Sequence, residues 1–205
     1  MSQSRRISLV LALNLAMIAG LAVAGFASHS LGLLSEAGDF FADSAALALG
    51  LLAVYLRDHH RNERATTWVA LINSLWLLVL SAWVAAAAVA RLITGSPTIH
   101  GLPVLIVSAM AAAAMLVAAL ILGQGAGRED LHMRSILLDT IADGASAAVV
   151  AVVGGVIAFA HRWYWLDSVA ACLLAVIIAV SASRLLIDVT AAIRSGEAYA
   201  PAEDD

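Results

Sequence analysis

The sequence predicts an all-α membrane protein, a bundle of six transmembrane helices with N- and C-termini cytoplasmic. Three observations carry that expectation. First, 62% of the 205 residues are hydrophobic and 13% are charged, with a mean hydropathy of +0.94; a water-soluble domain is about one quarter charged. Second, the excess of Ala, Leu, Val and Ile is gathered into six runs of about twenty residues or more, the length needed to cross roughly 30 Å of hydrocarbon. Third, the 11 basic residues are all arginines, and the links between runs share them unequally.

The expected spans are 7–26, 31–56, 67–93, 102–122, 136–160 and 166–187. Arg5 and Arg6 precede the first run as they would a signal peptide. That run is longer than a signal core, however, and Asn14 interrupts it, so it reads as a first spanning helix. The links 27–30, 57–66, 94–101, 123–135 and 161–165 are short, which makes consecutive helices antiparallel neighbours in one transport-sized domain over residues 1–190. Residues 191–205 form a short acidic tail ending Glu203-Asp204-Asp205, too polar to fold alone and expected to be disordered. With the N-terminus inside, Arg5, Arg6, Arg57, Arg61, Arg64, Arg128, Arg134, Arg184 and Arg194 fall on the cytoplasmic side, against Arg91 and Arg162 on the other. Trp163, Tyr164 and Trp165 stand where an interfacial aromatic belt is expected. Cys172 is the single cysteine, which excludes an internal disulfide and a cysteine zinc site; it reads as a small packing residue.

The second run contains Glu36-Ala-Gly-Asp39-Phe-Phe-Ala-Asp43 and the fifth contains Asp139-Thr-Ile-Ala-Asp143. Each holds D-x-x-x-D inside an apolar helix, and residues four apart share one helical face. A carboxylate at membrane depth costs about 2.5–3.5 kcal/mol on insertion scales. Four such groups are tolerable only if they face one another, a cation, protons or water. No lysine exists, and no Arg or His lies well inside a span, so salt bridges do not account for them. Placement of Asp39 or Asp139 at a helix end would explain one acid but not two pairs. Asp39, Asp43, Asp139 and Asp143 are therefore the candidate metal ligands, since carboxylate oxygens suit divalent cations and the ion neutralises their charge.

Glu36 and Asn73 are accessory candidates. Glu36 reads either as an entrance or proton-handling acid or as an interfacial one. Asn73 and Ser74 read as supports of the site or, more simply, as helix-packing residues. Asp167 opens the sixth run and reads as an N-cap residue rather than a ligand. His59 and His60 lie in an arginine-rich link, where a solvated basic loop is a better account than a metal-collecting site. His29, His100 and His132 have no partner at ligand spacing. Trp76 and Trp83, seven residues apart, mark a lipid-facing or packing stripe, or a surface for a second copy of the chain.

With these residues in view, the chain resembles a cation diffusion facilitator, a family of proton-coupled exporters of zinc, iron, manganese, cobalt and cadmium. The family's second-helix pattern S-L-A-L-L-A-D-A-G-H-x-x-x-D is similar to Ser30-Leu-Gly-Leu-Leu-Ser-Glu36-Ala-Gly-Asp39-Phe-Phe-Ala-Asp43, and its fifth-helix H/D-x-x-x-D to Asp139 and Asp143. Asn14, Gly25-Phe26, Asn73, Met133-Arg134 and Leu166-Asp167 extend the likeness over nearly the whole chain. The resemblance implies efflux of a divalent metal by metal/proton antiport with alternating access, in a multi-pass protein of a prokaryotic inner membrane. Two departures stand out. Many zinc exporters carry His at the first position of each pair, whereas both are Asp here, an all-oxygen set that suits manganese or iron without excluding zinc, cobalt or cadmium. The family's cytoplasmic C-terminal domain is also expected to be missing, which leaves any homodimer to membrane helices such as the third, where Ala85 to Ala88 allow close approach.

The implied partners are metal ions, protons and lipid, with no nucleic acid. No cofactor is implied beyond the transported metal, and no enzymatic activity. No phosphate-binding loop occurs to couple transport to nucleotide. The rival readings are an intramembrane aspartyl protease, for which the Y-D and G-x-G-D patterns are absent, and a non-transporting membrane sensor or scaffold.

Overall fold

A backbone immersed in hydrocarbon must satisfy its own N–H and C=O groups, so each apolar run closes into a helix. The computed structural model describes residues 3–59, 64–123 and 131–195. They form α1 (Gln3–Ser28), α2 (Leu31–His59), α3 (Arg64–Thr94), α4 (Gly101–Gly123), α5 (Leu131–Ala160) and α6 (Trp165–Ser195). Among the described residues, α1, α3, α4, α5 and α6 are long and apolar enough to cross a membrane. With 29 residues, or about 44 Å at 1.5 Å per residue, α2 is also long enough, but Glu36, Asp39 and Asp43 interrupt its apolar first half. The chain is a multi-pass membrane protein built as an all-α, six-helix bundle.

Every helix matches an expected span, and most run further. α6 continues to Ser195, past both the expected end of the sixth span and the expected domain boundary, and α5 begins at Leu131 rather than near residue 136. Apolar length reports where hydrocarbon ends. Helical hydrogen bonding continues beyond it through good helix formers such as Ala191, Ala192 and Arg194, which hold a helix in water as well. Residues 196–205, most of the expected tail, lie outside the described residues, as does His60.

The helices pair only partly as their order dictates. α4 packs most extensively on α5, α3 on α6 and α1 on α2, while α2 also touches α3 and α6. α1 meets α4, and α2 meets α5 along a slighter contact that closes a ring of α1, α2, α5 and α4. Although α3 and α4 are consecutive, α3's main partner is α6. Gly95, at φ 100°, ends α3 with its N–H donating to Arg91 O at 3.0 Å, and residues 95–100 then cross the end of the bundle without helix.

Small residues allow these approaches. A Cβ placed on Gly101 would lie 2.4 Å from Ala158 N, and one on Gly154 would lie 2.6 Å from Leu105 N, so α4 and α5 touch backbone to backbone. Ala88, Ala171, Ala175 and Ala182 play the same part between α3 and α6. Leu33, Phe40, Val104, Met115 and Val150 fill the ring's interior.

Lipid-facing apolar side chains clothe the outside, among them Val23, Trp76, Ile106, Leu120 and Val152. Polar groups are turned inward, with Asn14, Ser35, Glu36, Asn73, Ser74, Ser108, Thr140, Asp143 and Asp167 all buried. That inversion is what a low-dielectric exterior requires. At one end of the bundle Trp163 and Trp165 are half-exposed, the Arg162 guanidinium lies 5.8 Å from the Trp163 ring centroid, and Tyr164 Oη donates to His161 O. This is the aromatic belt expected where α5 meets α6.

Candidate metal centre

The site begins with how α2 starts. Ser30 is its N-cap: the hydroxyl accepts the Leu33 N–H at 3.1 Å, which fixes the first turn. Five residues after Leu31, at one and a half turns, stands Glu36; Asp39 follows three residues later and Asp43 four after that. The rise of the helix therefore sets these acids along one stretch of α2.

Glu36 is 1% exposed. Its Oε2 accepts the Ser108 hydroxyl of α4 at 3.1 Å, and its Oε1 has no hydrogen-bond partner among the described residues. The Glu36 carboxyl is thus packed inside the bundle between α2 and α4. Asp39 on α2 and Asp143 on α5 both act electrostatically on Glu36. Asp143 is buried and Asp39 partly so. The interior thus gathers Glu36, Asp39, Ser108 and Asp143 from three helices. Asp43 and Asp139 occupy positions on α2 and α5 one turn from Asp39 and Asp143; their side chains lie outside the described residues.

Among the described residues, no three of His, Cys, Asp and Glu are assembled to hold a metal ion. Asp39 and Asp143 each act on Glu36, but the three do not form a ligand set. The arrangement places carboxyl groups of α2 and α5 inside the bundle, with the Ser108 hydroxyl of α4 beside the Glu36 carboxyl.

The remaining sequence candidates resolve as follows. Asn73 is buried on α3, and the Ser74 hydroxyl donates to Leu71 O of its own helix at 2.9 Å, leaving it engaged in α3. Trp76 and Trp83 are more than half exposed on one face of α3 and line an apolar groove with Phe26, Leu34 and Phe41. His29 and His100 are exposed; the side chains of His59 and His132 lie outside the described residues. Asp167 is an N-cap, as its position suggests, but of a different helix. Fully buried in α6, it accepts hydrogen bonds from the Leu31 and Gly32 N–H groups of α2. Ser108 went unread in the sequence, where its one signal is that it is the sole hydroxyl in the fourth apolar run.

Comparison with known proteins agrees with this architecture. The family profile "Cation efflux transmembrane domain" matches residues 7–193. The zinc transporter ZitB of Yersinia pestis is 28% identical over 192 residues, covering 90% of this chain and 61% of that protein. ZitB of Escherichia coli (strain K12) is 31% identical over 176 residues, covering 81% and 55%. The "Cadmium, cobalt and zinc/H(+)-K(+) antiporter" of Bacillus subtilis (strain 168) is 27% identical over 181 residues, covering 82% and 58%. The chain accordingly spans somewhat more than half the length of these curated relatives. With the profile matched along nearly all its length and six helices of the required kind, the chain belongs to the cation efflux (cation diffusion facilitator) family.

Proposed function

We propose that the protein carries divalent metal cations out of the cell across the inner membrane in exchange for protons. The observation that carries this reading is that Glu36, Asp39 and Asp143, from two different helices, share one electrostatic field inside a lipid-facing bundle. Intramembrane acids are costly and mark ion or proton pathways. Asp39, Asp43, Asp139 and Asp143 supply the oxygens that take the ion. Glu36, held by Ser108, adds a fifth carboxyl group one turn from the first. Metal and protons compete for the same oxygens, so emptying the site on the far side uses the proton gradient with no separate energy-converting domain.

The family is one of transporters rather than enzymes, which leaves the aspartyl protease reading without support. The names of the relatives point to zinc, cadmium and cobalt, whereas an all-carboxylate donor set suits manganese and iron. Affinity at oxygen sites does not exclude zinc, so the proposed substrate class covers all five. The arginine distribution supports cytoplasmic termini. A second copy of the chain packs against the α3 face that carries Trp76 and Trp83. The experiment is flux of each of the five metals in proteoliposomes under an imposed pH gradient. Flux that follows the gradient supports antiport; a protein that binds metal but moves none is a sensor or scaffold.

A further inference from the structure

At the end of the bundle that carries the Trp163–Trp165 aromatic cluster, a further acid is buried among polar groups that the transport reading does not use. Asp167 is the third residue of α6 and is fully buried. One carboxylate oxygen, Oδ1, accepts the Ser30 hydroxyl at 2.5 Å and the Gly32 N–H at 3.2 Å; the other, Oδ2, accepts the Leu31 N–H at 2.8 Å. These donors belong to the start of α2. The first N–H groups of a helix have no partner within it, and the helix dipole favours an anion there. Here the anion comes from a different helix.

Other groups at this end reinforce the tie. Arg91, in the last turn of α3, donates from Nη1 to His29 O at 2.7 Å, just before α2, and the same nitrogen lies 4.0 Å from Asp167 Oδ2. Ser168 and Ser96 share a hydrogen bond at 3.3 Å, joining α6 to the link after α3. The site allows no slack: a Cβ on Gly32 would stand 2.9 Å from Asp167 Oδ1. The α3–α6 pair is thus fastened to the first turn of α2, which is the helix that carries the acids. Glu36 and Asp39 follow Leu31 by five and eight residues, or about 7.5 and 12 Å along a rigid helix.

We infer that Asp167 is a positioning residue for cation binding: by capping α2 from α6, with Arg91 behind it, it fixes the axial register and rotation at which α2 presents Glu36 and Asp39 to α5. This inference rests on the transport reading above, because it takes the α2 acids to be the cation site. Nothing in it requires Asp167 to meet the ion.

The test uses the full chain with Asp167→Asn, which is nearly isosteric but turns an amide NH2 toward the donors, with Ser30→Ala, and with the double variant. Two readouts are taken. Hydrogen–deuterium exchange in residues 29–38 reports whether the first turn of α2 is held. Zinc and manganese flux in proteoliposomes, normalised to folded protein, gives KM separately from maximal rate. Positioning predicts faster exchange in that segment and a KM raised at least about tenfold, the scale of one charge-assisted hydrogen bond. Ser30→Ala shifts both in the same direction by less, and the double variant goes no further than Asp167→Asn, since both remove one cap.

Unchanged exchange overturns the inference. So does faster exchange with a wild-type KM, which would make the cap structural only. If Asp167→Asn does not fold, Ser30→Ala decides by the same two readouts. Asp43→Ala, assayed in parallel, separates the two claims. If it carries metal like the wild type, the site assignment fails; if it is inactive while Asp167→Asn keeps a normal KM, only the positioning role fails.

Discussion

Gly154 of α5 is one of the two glycines at which α4 and α5 meet backbone to backbone, and a single methyl group there tests the packing directly. The added Cβ of Gly154→Ala would meet Leu105 N at 2.6 Å and Val104 Cγ1 and Cβ at 2.8 and 2.9 Å. Leu105 N belongs to the α4 backbone and cannot rotate away as a side-chain tip would. Relief to an ordinary contact near 3.4 Å requires the helices to part by about 0.8 Å, and overpacking of this kind costs about 1–3 kcal/mol. Gly20 on α1 is the control, because its added methyl meets nothing within 4 Å. There the substitution only exchanges glycine for a better helix former, worth about 0.5–1 kcal/mol in the stabilising direction. Thermal unfolding in mild detergent should therefore rank Gly20→Ala at or above wild type and Gly154→Ala clearly below. Because α4 carries Ser108 and α5 carries Asp143, the same parting should weaken metal flux. A Gly154→Ala protein as stable as wild type, or a Gly20→Ala protein equally damaged, would refute the backbone contact between α4 and α5.

Ser108→Ala removes the one hydrogen bond that the Glu36 carboxyl group makes among the described residues, so it should destabilise the fold by about 1–3 kcal/mol; Ser108→Thr, which keeps the hydroxyl, should lose less in the same unfolding assay. Asp39→His should preserve metal binding and shift preference from manganese toward zinc, since imidazole is the softer donor; competition flux with the two ions measures the shift, and an unchanged ratio counts against Asp39 as a ligand. If two copies meet along the α3 face, cysteine in place of Trp83 should crosslink in membranes while cysteine in place of exposed Leu120 on α4 does not; equal crosslinking or none removes that dimer.

The helices were legible because lipid imposes one rule along each of them: an apolar run of sufficient length must be helical. Their ends were less so, since α6 runs to Ser195 on residues that are helical in water as well as in lipid. The α4–α5 pairing follows from its short link, but the α3–α6 pairing was hidden for a related reason. Its close contacts are made by Ala, and alanine is as common on the lipid face as between helices. The acids stood out because charge is rare in such a sequence; Asp39 and Asp143 each act electrostatically on Glu36, while no three metal-ligating side chains are assembled among the described residues. Ser108 did not stand out, as a hydroxyl in an apolar helix can bond to its own backbone, the fate of Ser74. Asp167 was legible as a cap but not as the cap of α2, because the sequence neighbourhood of an N-cap points to its own helix and the true donors are 136 and 135 residues away.

The central claim is that the α2 and α5 aspartates carry metal across the membrane against protons, and its most direct test is zinc and manganese flux in proteoliposomes bearing Asp43→Ala or Asp143→Ala. Each substitution removes one charged ligand and leaves the ion under-neutralised in a low-dielectric bundle, so the account predicts loss of flux to the protein-free background while folded protein is retained. Wild-type flux in the same vesicles should rise or fall with the imposed pH gradient. Both variants moving metal at the wild-type rate would contradict the site, and wild-type flux indifferent to the gradient would contradict the exchange with protons.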